Sequence, residues 1–193
     1  MSRLTTKTPD MLDELERAQF LRISKFRKPD AEGQFGGPFD PWMRCPELAR
    51  RGVSFGNFIW ERTTLEPRIV ELAIIVTGRF WEANVEWVSH AAKAKEAGVS
   101  EEVIQAVFEE RLPEHAPADE SLTIEICRAL HESHELTTAL YQRAIAEFGE
   151  RGLVEIIATV GYYTLVAMTL KAFDVGLPED VAGPFSIEGA TAR

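Results

Sequence analysis

Residues 67–104 read "PRIVELAIIVTGRFWEANVEWVSHAAKAKEAGVSEEVI" and decide how this chain is expected to fold. The stretch begins with a proline, which suits the first turn of a helix. Residues 69–76 are apolar except for Glu71, so a carboxylate at that place needs an explanation. A second helix is expected over residues 79–98, because Gly98 is a typical residue just past a helix end. The stretch therefore predicts two consecutive helices, with an acidic side chain inside the apolar part of the first.

Helical periodicity extends over nearly the whole chain, and no segment shows the alternation of a β-strand. Residues 27–42 carry three prolines and three glycines in sixteen positions and are predicted to be a loop, either a functional one or a surface connector. Gly52 and Gly56 are four residues apart, a spacing that allows close helix packing. The sequence predicts an all-α, single-domain protein of about eight helices, at residues 9–26, 46–63, 67–78, 79–98, 101–111, 121–131, 136–148 and 153–173.

Composition narrows the class of protein. The chain has 193 residues, of which 45% are hydrophobic, enough for one substantial core. Its net charge of −10 disfavours attraction to nucleic acid or to acidic lipid. The N-terminal residues are polar and mixed in charge, unlike a secretory leader, so a cytoplasmic location is expected. Cys45 and Cys127 belong to no C-x-x-C pair, and we expect both to be free, buried thiols.

One apolar segment tests the alternative of a membrane protein. Residues 156–170 contain no charged side chain. A helix that spans a bilayer needs about 20 apolar residues, and this segment is shorter. A helix buried in the core or in a subunit interface is therefore expected, and no membrane partner.

Polar side chains recur through the deciding stretch at helical spacing. At 100° per residue they project within roughly one third of the circumference of a helix. One interpretation is a solvated face with an ion pair between Glu86 and His90. The other is a sheltered acid/base site, which the aromatic residues around the stripe favour, because burial raises the pKa of a carboxyl group and histidine titrates near neutrality. The stripe consists of Glu71, Arg79, Glu82, Glu86 and His90, and the rings beside it are Phe80, Trp81 and Trp87.

The order of residues 67–104 resembles the core of the carboxymuconolactone decarboxylase family, which shares its fold with alkylhydroperoxidase D (AhpD). Residues 37–49, "GPFDPWMRCPELA", resemble the family's N-terminal segment, and residues 161–178, "GYYTLVAMTLKAFDVGLP", resemble its closing helix. The resemblance covers about residues 37–180 of a single domain, 1–193. It implies an AhpD-like helical bundle that assembles as a homo-oligomer, a trimer or a hexamer.

The resemblance also indicates a branch of this family. The peroxidase branch has a glutamate, then a C-x-x-C pair, then a histidine four residues after the second cysteine. The corresponding positions here are Glu71, Ala83, Glu86 and His90, so both thiols are missing. A thiol peroxidase needs one thiolate to attack the peroxide and a second cysteine to resolve the product. A peroxidase function is therefore disfavoured, and the cysteine-free branch is indicated.

In that branch the implied activity is that of a cofactor-free acid/base enzyme on a small organic acid or lactone. His90 would then give or take the proton, Glu86 would set its tautomer and raise its pKa, and Glu71 would be a second acid/base group. The substrate would be held by Arg79, through its carboxylate, and by four aromatic residues, Phe80, Trp87, Tyr162 and Trp42; for Tyr162 and Tyr163 a core or interface role is the alternative. We expect neither a cofactor nor a metal, since His131 and His134 form only an H-x-x-H pair. A non-catalytic relative that binds a ligand, or acts as an assembly partner, is the rival.

Overall fold

The computed structural model describes residues 2–178 and 180–185. A short 3-10 helix, Pro9–Met11, precedes eight α-helices, and the described residues contain no β-strand. The helices are α1 (Glu14–Ile23), α2 (Phe39–Met43), α3 (Pro46–Glu61), α4 (Pro67–Phe80), α5 (Asn84–Glu96), α6 (Glu101–Phe108), α7 (Ala118–Glu132) and α8 (Thr138–Phe173). The predicted all-α fold of about eight helices is confirmed.

Helix α4 lies at the centre of the molecule. It packs against α5, α6, α7 and α8, and every residue from 69 to 78 is buried. This explains the apolar run, because a helix covered on all sides has no polar face. The packing also encloses Glu71, which leaves only 4% of its surface exposed.

The predicted single helix over residues 79–98 is wrong. Helix α4 continues through Gly78 to Phe80, and a turn separates it from α5. In this turn the amide of Ala83 donates to the carbonyl of Gly78 at 2.9 Å and the amide of Glu82 donates to that of Arg79 at 3.0 Å. These two bonds form a Schellman helix end. Glu82 takes the left-handed position with φ +47°, where glycine is the usual residue, so no sequence signal marked the break.

Helix α8 covers two predicted helices. Its hydrogen-bonded turns run from residue 138 to 173, but Gly149 has φ +67° and ψ 175°, and the chain kinks there, between the predicted segments 136–148 and 153–173. Helix α8 is long and apolar enough to cross a membrane by length and composition, yet 61% of its most apolar window is buried against the rest of the fold. A core role explains this apolar content.

The two cysteines differ in their exposure to solvent. Cys127 is fully buried in α7, as predicted. Cys45 is exposed, so its predicted burial is wrong. It occupies the N-cap position of α3, where the chain enters the helix from the surface.

Candidate functional site

A cavity of about 670 Å³ lies among α3, α5, α8, the segment before α2 and the residues that follow α8. Its buried lining comprises four side chains that can exchange or share protons: Glu86, His90, Tyr162 and Tyr163. Side chains that are partly or fully exposed surround them, among them Arg27, Asn57, Trp60 and Lys93. The predicted loop 27–42 contributes Arg27, Gly37, Pro38 and Phe39 to the wall.

The imidazole of His90 is held from behind by Glu71. Its Nδ1 lies 2.8 Å from Oε2 of Glu71, and both side chains are buried. Because a carboxylate can only accept a hydrogen bond, Nδ1 donates, and the lone pair of Nε2 is left free. Burial lowers the pKa of His90, an effect that Glu71 partly opposes. His90 is therefore a neutral imidazole with a basic nitrogen beside the cavity.

Glu86 is as buried as Glu71 but differs from it in hydrogen bonding. It is 3% exposed, and neither carboxyl oxygen has a hydrogen-bond partner among the described residues. Burial raises the pKa of Glu86 well above its ordinary value and so favours the neutral carboxylic acid over the carboxylate. The prediction that Glu86 orients His90 is wrong, because the partner of His90 is Glu71 on the neighbouring helix.

Gly78 allows this arrangement. A Cβ atom on Gly78 would lie 3.3 Å from Cβ of Glu86, closer than nearly all real contacts of this kind. The missing side chain therefore lets α5 approach α4 at the level of the site. Of the predicted stripe, only Glu71, Glu86 and His90 come together, and they lie on two packed helices.

Aromatic rings surround the imidazole. The ring centroid of His90 lies 5.1 Å from that of Tyr163 and 5.6 Å from that of Trp60. Nε1 of Trp60 donates to Oη of Tyr163 at 3.1 Å. The ammonium of Lys93 lies 4.2 Å from the ring centroid of Trp60, within the range of a cation–π contact.

Three predicted substrate-binding residues do not line this cavity. Arg79, near the end of α4, donates to the carbonyl of Phe108 at 2.7 Å and pairs with a glutamate of the α6–α7 loop. Phe80 stacks on His131 with a centroid distance of 4.4 Å, and Trp87 is buried against Phe108 in the core. Arg79 and Phe80 were placed by continuing one helix through the turn at residues 81–83, whereas Trp87 lies on α5 after this turn and faces the core.

The other two predicted substrate-binding residues lie at or behind the cavity wall. Tyr162 borders the cavity. Trp42 is buried behind it, with a ring-centroid distance of 5.9 Å to Tyr162, and donates from Nε1 to the hydroxyl of Thr169. Trp42 therefore supports the wall rather than lining it.

Several cavity residues were not singled out in the sequence. Lys93 lies one turn after His90 on α5, so the helical periodicity that pointed to His90 could have indicated it. Trp60 and Arg27 come from distant parts of the chain, and only the tertiary fold brings them to the site. Tyr163 was left open between core and site, and the structure places it beside His90.

The residues after α8 cross the cavity and are anchored beyond it. Leu177, Pro178 and Val181 border the cavity. Phe185 is then fixed by two hydrogen bonds with the side-chain amide of Asn84, of 2.9 and 3.0 Å, and packs on the ring of Trp87. This segment closes one side of the site.

Metal ligation has little support in the part of the chain that the structure describes. Residues 2–178 and 180–185 contain no group of three or more His, Cys, Asp or Glu side chains that could hold a metal ion. Nε2 of His131 lies 3.2 Å from the hydroxyl of Thr77, and His134 is an exposed residue at the end of α7.

Comparison with known proteins shows the fold and a family to which part of the chain is similar. Residues 46–121 match the sequence model of the carboxymuconolactone decarboxylase family. No curated protein matches the chain. Similar solved structures include an uncharacterized peroxidase-related protein from Ralstonia eutropha JMP134 with an AhpD core (15% identity, TM-score 0.71, covering 92% of this chain and 93% of that one). A peroxidase-related protein from Silicibacter sp. TM1040 is similar at 13% identity and TM-score 0.70, covering 92% of each chain.

A third similar structure is a cysteine-to-alanine variant of the debrominase Bmp8 in complex with 2,3,4-tribromopyrrole. It has 15% identity and a TM-score of 0.69, and the match covers 93% of this chain and 95% of that one. At such identities the likeness shows the fold alone. Residues 46–121 are thus similar to the carboxymuconolactone decarboxylase family, and the chain has the AhpD-like helical fold.

Proposed function

We propose that this protein is an acid/base enzyme that needs no cofactor and transfers protons to or from carbon in a small organic acid or lactone, as a carboxymuconolactone decarboxylase does. The supporting observation is that a buried imidazole and a buried carboxyl group without a hydrogen-bond partner among the described residues border one cavity. Burial lowers the pKa of His90 and raises that of Glu86, so one group is a base and the other an acid at the same pH. Such a pair is what general acid/base catalysis requires.

The reaction would need no further group. When an unsaturated lactone acid loses CO₂, the electron pair of the broken carbon–carbon bond passes into the conjugated lactone carbonyl and forms a dienolate. A proton from Glu86 then adds to carbon and restores the carbonyl, and solvent returns the proton to Glu86. Nε2 of His90 could instead remove a proton from a carbon next to a carbonyl, which would make the cavity suitable for isomerisation as well.

Cations near the cavity opening support an acidic substrate. Lys93 and Arg27 border the cavity and are less buried than Glu86 and His90. In a protein of net charge −10, a local cation is needed to attract a carboxylate. These two residues take the role that the sequence had suggested for Arg79.

The alternatives have less support. A non-catalytic relative would be favoured by an exposed pair or by a cavity filled by Trp81 or Trp87, but Glu86 and His90 are buried and neither tryptophan lines the cavity. A thiol peroxidase is disfavoured because neither Cys45 nor Cys127 lines it. The tribromopyrrole bound by the debrominase relative is consistent with a small planar ligand.

The test begins with a thermal-shift screen of lactones and small carboxylic acids, because a ligand of the folded state raises its apparent stability. Each compound that binds is then assayed for CO₂ release and for exchange of carbon-bound hydrogen with deuterium from the solvent. Glu86→Gln is expected to lower CO₂ release, and His90→Asn to lower hydrogen exchange, each by about 10²–10⁴-fold, the usual contribution of a positioned acid or base.

The matched control is His115→Asn, an exposed histidine in the α6–α7 loop, which is expected to keep wild-type turnover. Glu96→Gln, on the exposed face of α5, is the corresponding control for Glu86→Gln. Full hydrogen exchange by His90→Asn would overturn the assignment of His90. Screening hits that bind but undergo neither reaction would favour the ligand-binding relative.

A further inference from the structure

We propose that Tyr163, oriented by Trp60, donates a hydrogen bond to a carbonyl or enolate oxygen of the ligand, so that the cavity selects planar carboxylic acids that carry an acceptor oxygen. This inference deepens the proposed function and rests on it for the identity of the site. It adds a residue with a different task from that of His90 or Glu86, since Tyr163 would stabilise negative charge on oxygen and not exchange a proton with carbon.

The hydrogen bond with Trp60 determines what the hydroxyl of Tyr163 can offer. An indole Nε1–H can only donate, so Oη of Tyr163 accepts this bond, which is 3.1 Å long. The hydroxyl proton of Tyr163 then has no acceptor among the described residues. Because Tyr163 borders the cavity, this proton is available to an oxygen atom of a ligand.

The surroundings keep the hydroxyl both fixed and protonated. The Tyr163 ring stands edge-on to the imidazole of His90, at an interplanar angle of 79°, and the residue is 5% exposed. Burial raises the pKa of Tyr163 well above its ordinary value; the neighbouring Tyr162 and Glu71 act in the same direction, and the hydrogen bond from Trp60 acts against it. A phenol that stays neutral and is held in place is a suitable donor to an oxyanion.

Tyr162 provides a contrast within the same helix. Its hydroxyl lies so close to Gly56 that a Cβ atom there would be 2.7 Å from Oη. It makes no hydrogen bond with the described residues, so nothing comparable to Trp60 orients it. The adjacent tyrosine is therefore a matched control in sequence, burial and ring size.

The distribution of charge suggests how a ligand is oriented. Lys93 lies over Trp60 near the opening, whereas Tyr163 and His90 are buried. An acid would then direct its carboxylate towards Lys93 and its acceptor oxygen towards Tyr163. As an electron pair moves onto that oxygen during the reaction, the hydrogen bond from Tyr163 strengthens in a water-poor environment.

Two probes test this hydrogen bond without any turnover. 4-Acetylbenzoate and 4-isopropenylbenzoate have nearly the same shape and differ in a carbonyl oxygen against a methylene group. Isothermal titration calorimetry of the full chain is expected to show that the acetyl compound binds about threefold to tenfold more tightly, the usual effect of one neutral hydrogen bond.

Tyr163→Phe is expected to bind the two probes equally, while Tyr162→Phe keeps the preference whatever its effect on the absolute affinities. Trp60→Phe retains a ring but removes the donor to Oη, so it should weaken the preference, whatever its effect on the absolute affinities. A structural defect would weaken the binding of both probes together. The ratio of the two affinities therefore separates a lost orientation of the Tyr163 hydroxyl from a defect in folding.

The proposal is overturned if the wild type shows no preference or binds neither probe, or if Tyr163→Phe retains the preference. The His90→Asn variant separates this inference from the proposed function, since it should lose hydrogen exchange but keep the probe preference. A preference that depends on Tyr163, in a protein that turns over no acid or lactone, would support the hydrogen bond and reject the enzyme.

Discussion

Two buried glutamates at the site have different partners, and packing between helices decides which. Glu86 and His90 are one turn apart on α5, a spacing that brings side chains near each other on a helix surface. The imidazole nevertheless meets Glu71, nineteen residues earlier, because α4 packs along α5. Glu86 is left in an apolar environment without a hydrogen bond, which is why it is expected to hold its proton.

The apolar environment of Glu86 predicts how the free energy of unfolding depends on pH. The pKa of Glu86 is raised in the folded protein, whereas in the unfolded chain it should be near the ordinary value of 4.5. As the pH rises above about 4.5, the unfolded chain loses this proton and the folded protein keeps it, so the free energy of unfolding falls until the folded pKa is passed. Glu86→Gln cannot titrate, so its stability relative to wild type should increase with pH over this window.

Urea unfolding at a series of pH values from 4 upward measures this difference. His90, whose pKa is lowered by burial, affects stability with the opposite sign but titrates in both proteins. Glu96→Gln, an exposed glutamate on the same helix, should show no comparable change with pH. A difference between Glu86→Gln and wild type that stays constant with pH would contradict a neutral Glu86.

At the scale of single residues, the sequence indicates which side chains could exchange protons better than it indicates where those side chains lie. Glu71, Glu86 and His90 could be selected because each is a polar residue at a helical spacing among apolar or aromatic neighbours, and the structure brings all three together. Arg79 and Phe80 were assigned to the same face on a continuous helix, and the turn after them directs them elsewhere. Their roles in catalysis and binding stay predictions.

At the scale of elements, the turn between α4 and α5 determines the site. Helices usually end with glycine in the left-handed position, and here Glu82 takes it. A pattern of residue types cannot reveal a helix end of this kind, because the hydrogen bonds of the turn are made by backbone groups that every sequence has. The break is nevertheless what lets α5 fold back on α4 and place His90 against Glu71.

The glycines of α3 give an element-scale prediction. A Cβ atom on Gly52 would lie 2.8 Å from the ring of Trp42, a buried residue whose indole is also held by a hydrogen bond to Thr169. The ring cannot move away easily, so Gly52→Ala is expected to destabilise the protein by about 1–3 kcal/mol, the usual cost of overpacking. Thermal and urea unfolding measure the change.

Gly161 on α8 is the control for this substitution. A Cβ atom there would meet nothing within 4 Å, so Gly161→Ala should stabilise an isolated subunit by up to about 1 kcal/mol through helix propensity. If Gly52→Ala were as stable as wild type, the close contact of α3 with Trp42 would not be a real constraint. The spacing of Gly52 and Gly56 predicted close packing, but not which ring lies against each glycine.

At the scale of the whole molecule, the fold class was predictable because helical periodicity and caps act over short distances. The resemblance to the family was also recognisable, because residues 67–104, which carry it, lie within the matched residues 46–121. The cavity was not predictable, because it is built by α3, α5, α8 and the segments before α2 and after α8, which lie far apart in sequence. A cytoplasmic location likewise stays a prediction.

The outer face of α8 predicts that copies of this chain assemble with one another. Four apolar residues are exposed by 41–64% and follow one another at intervals of three to eight positions, so they form one stripe along the helix: Val154, Ile157, Leu165 and Met168. Exposed apolar stripes of this kind often mark interfaces. We therefore expect a homo-oligomer with this stripe in the interface; the family resemblance implies a trimer or a hexamer of the 21.7 kDa chain.

Leu165→Glu tests this expectation, because burying an unpaired charge in an interface costs far more than exposing it on a free surface. Light scattering after gel filtration should give an oligomeric mass for the wild type and a smaller one for Leu165→Glu. Leu15→Glu, at an exposed leucine of α1, should retain the wild-type mass. If the wild type had the mass of a single chain, or if Leu165→Glu assembled normally, the stripe would have no part in assembly.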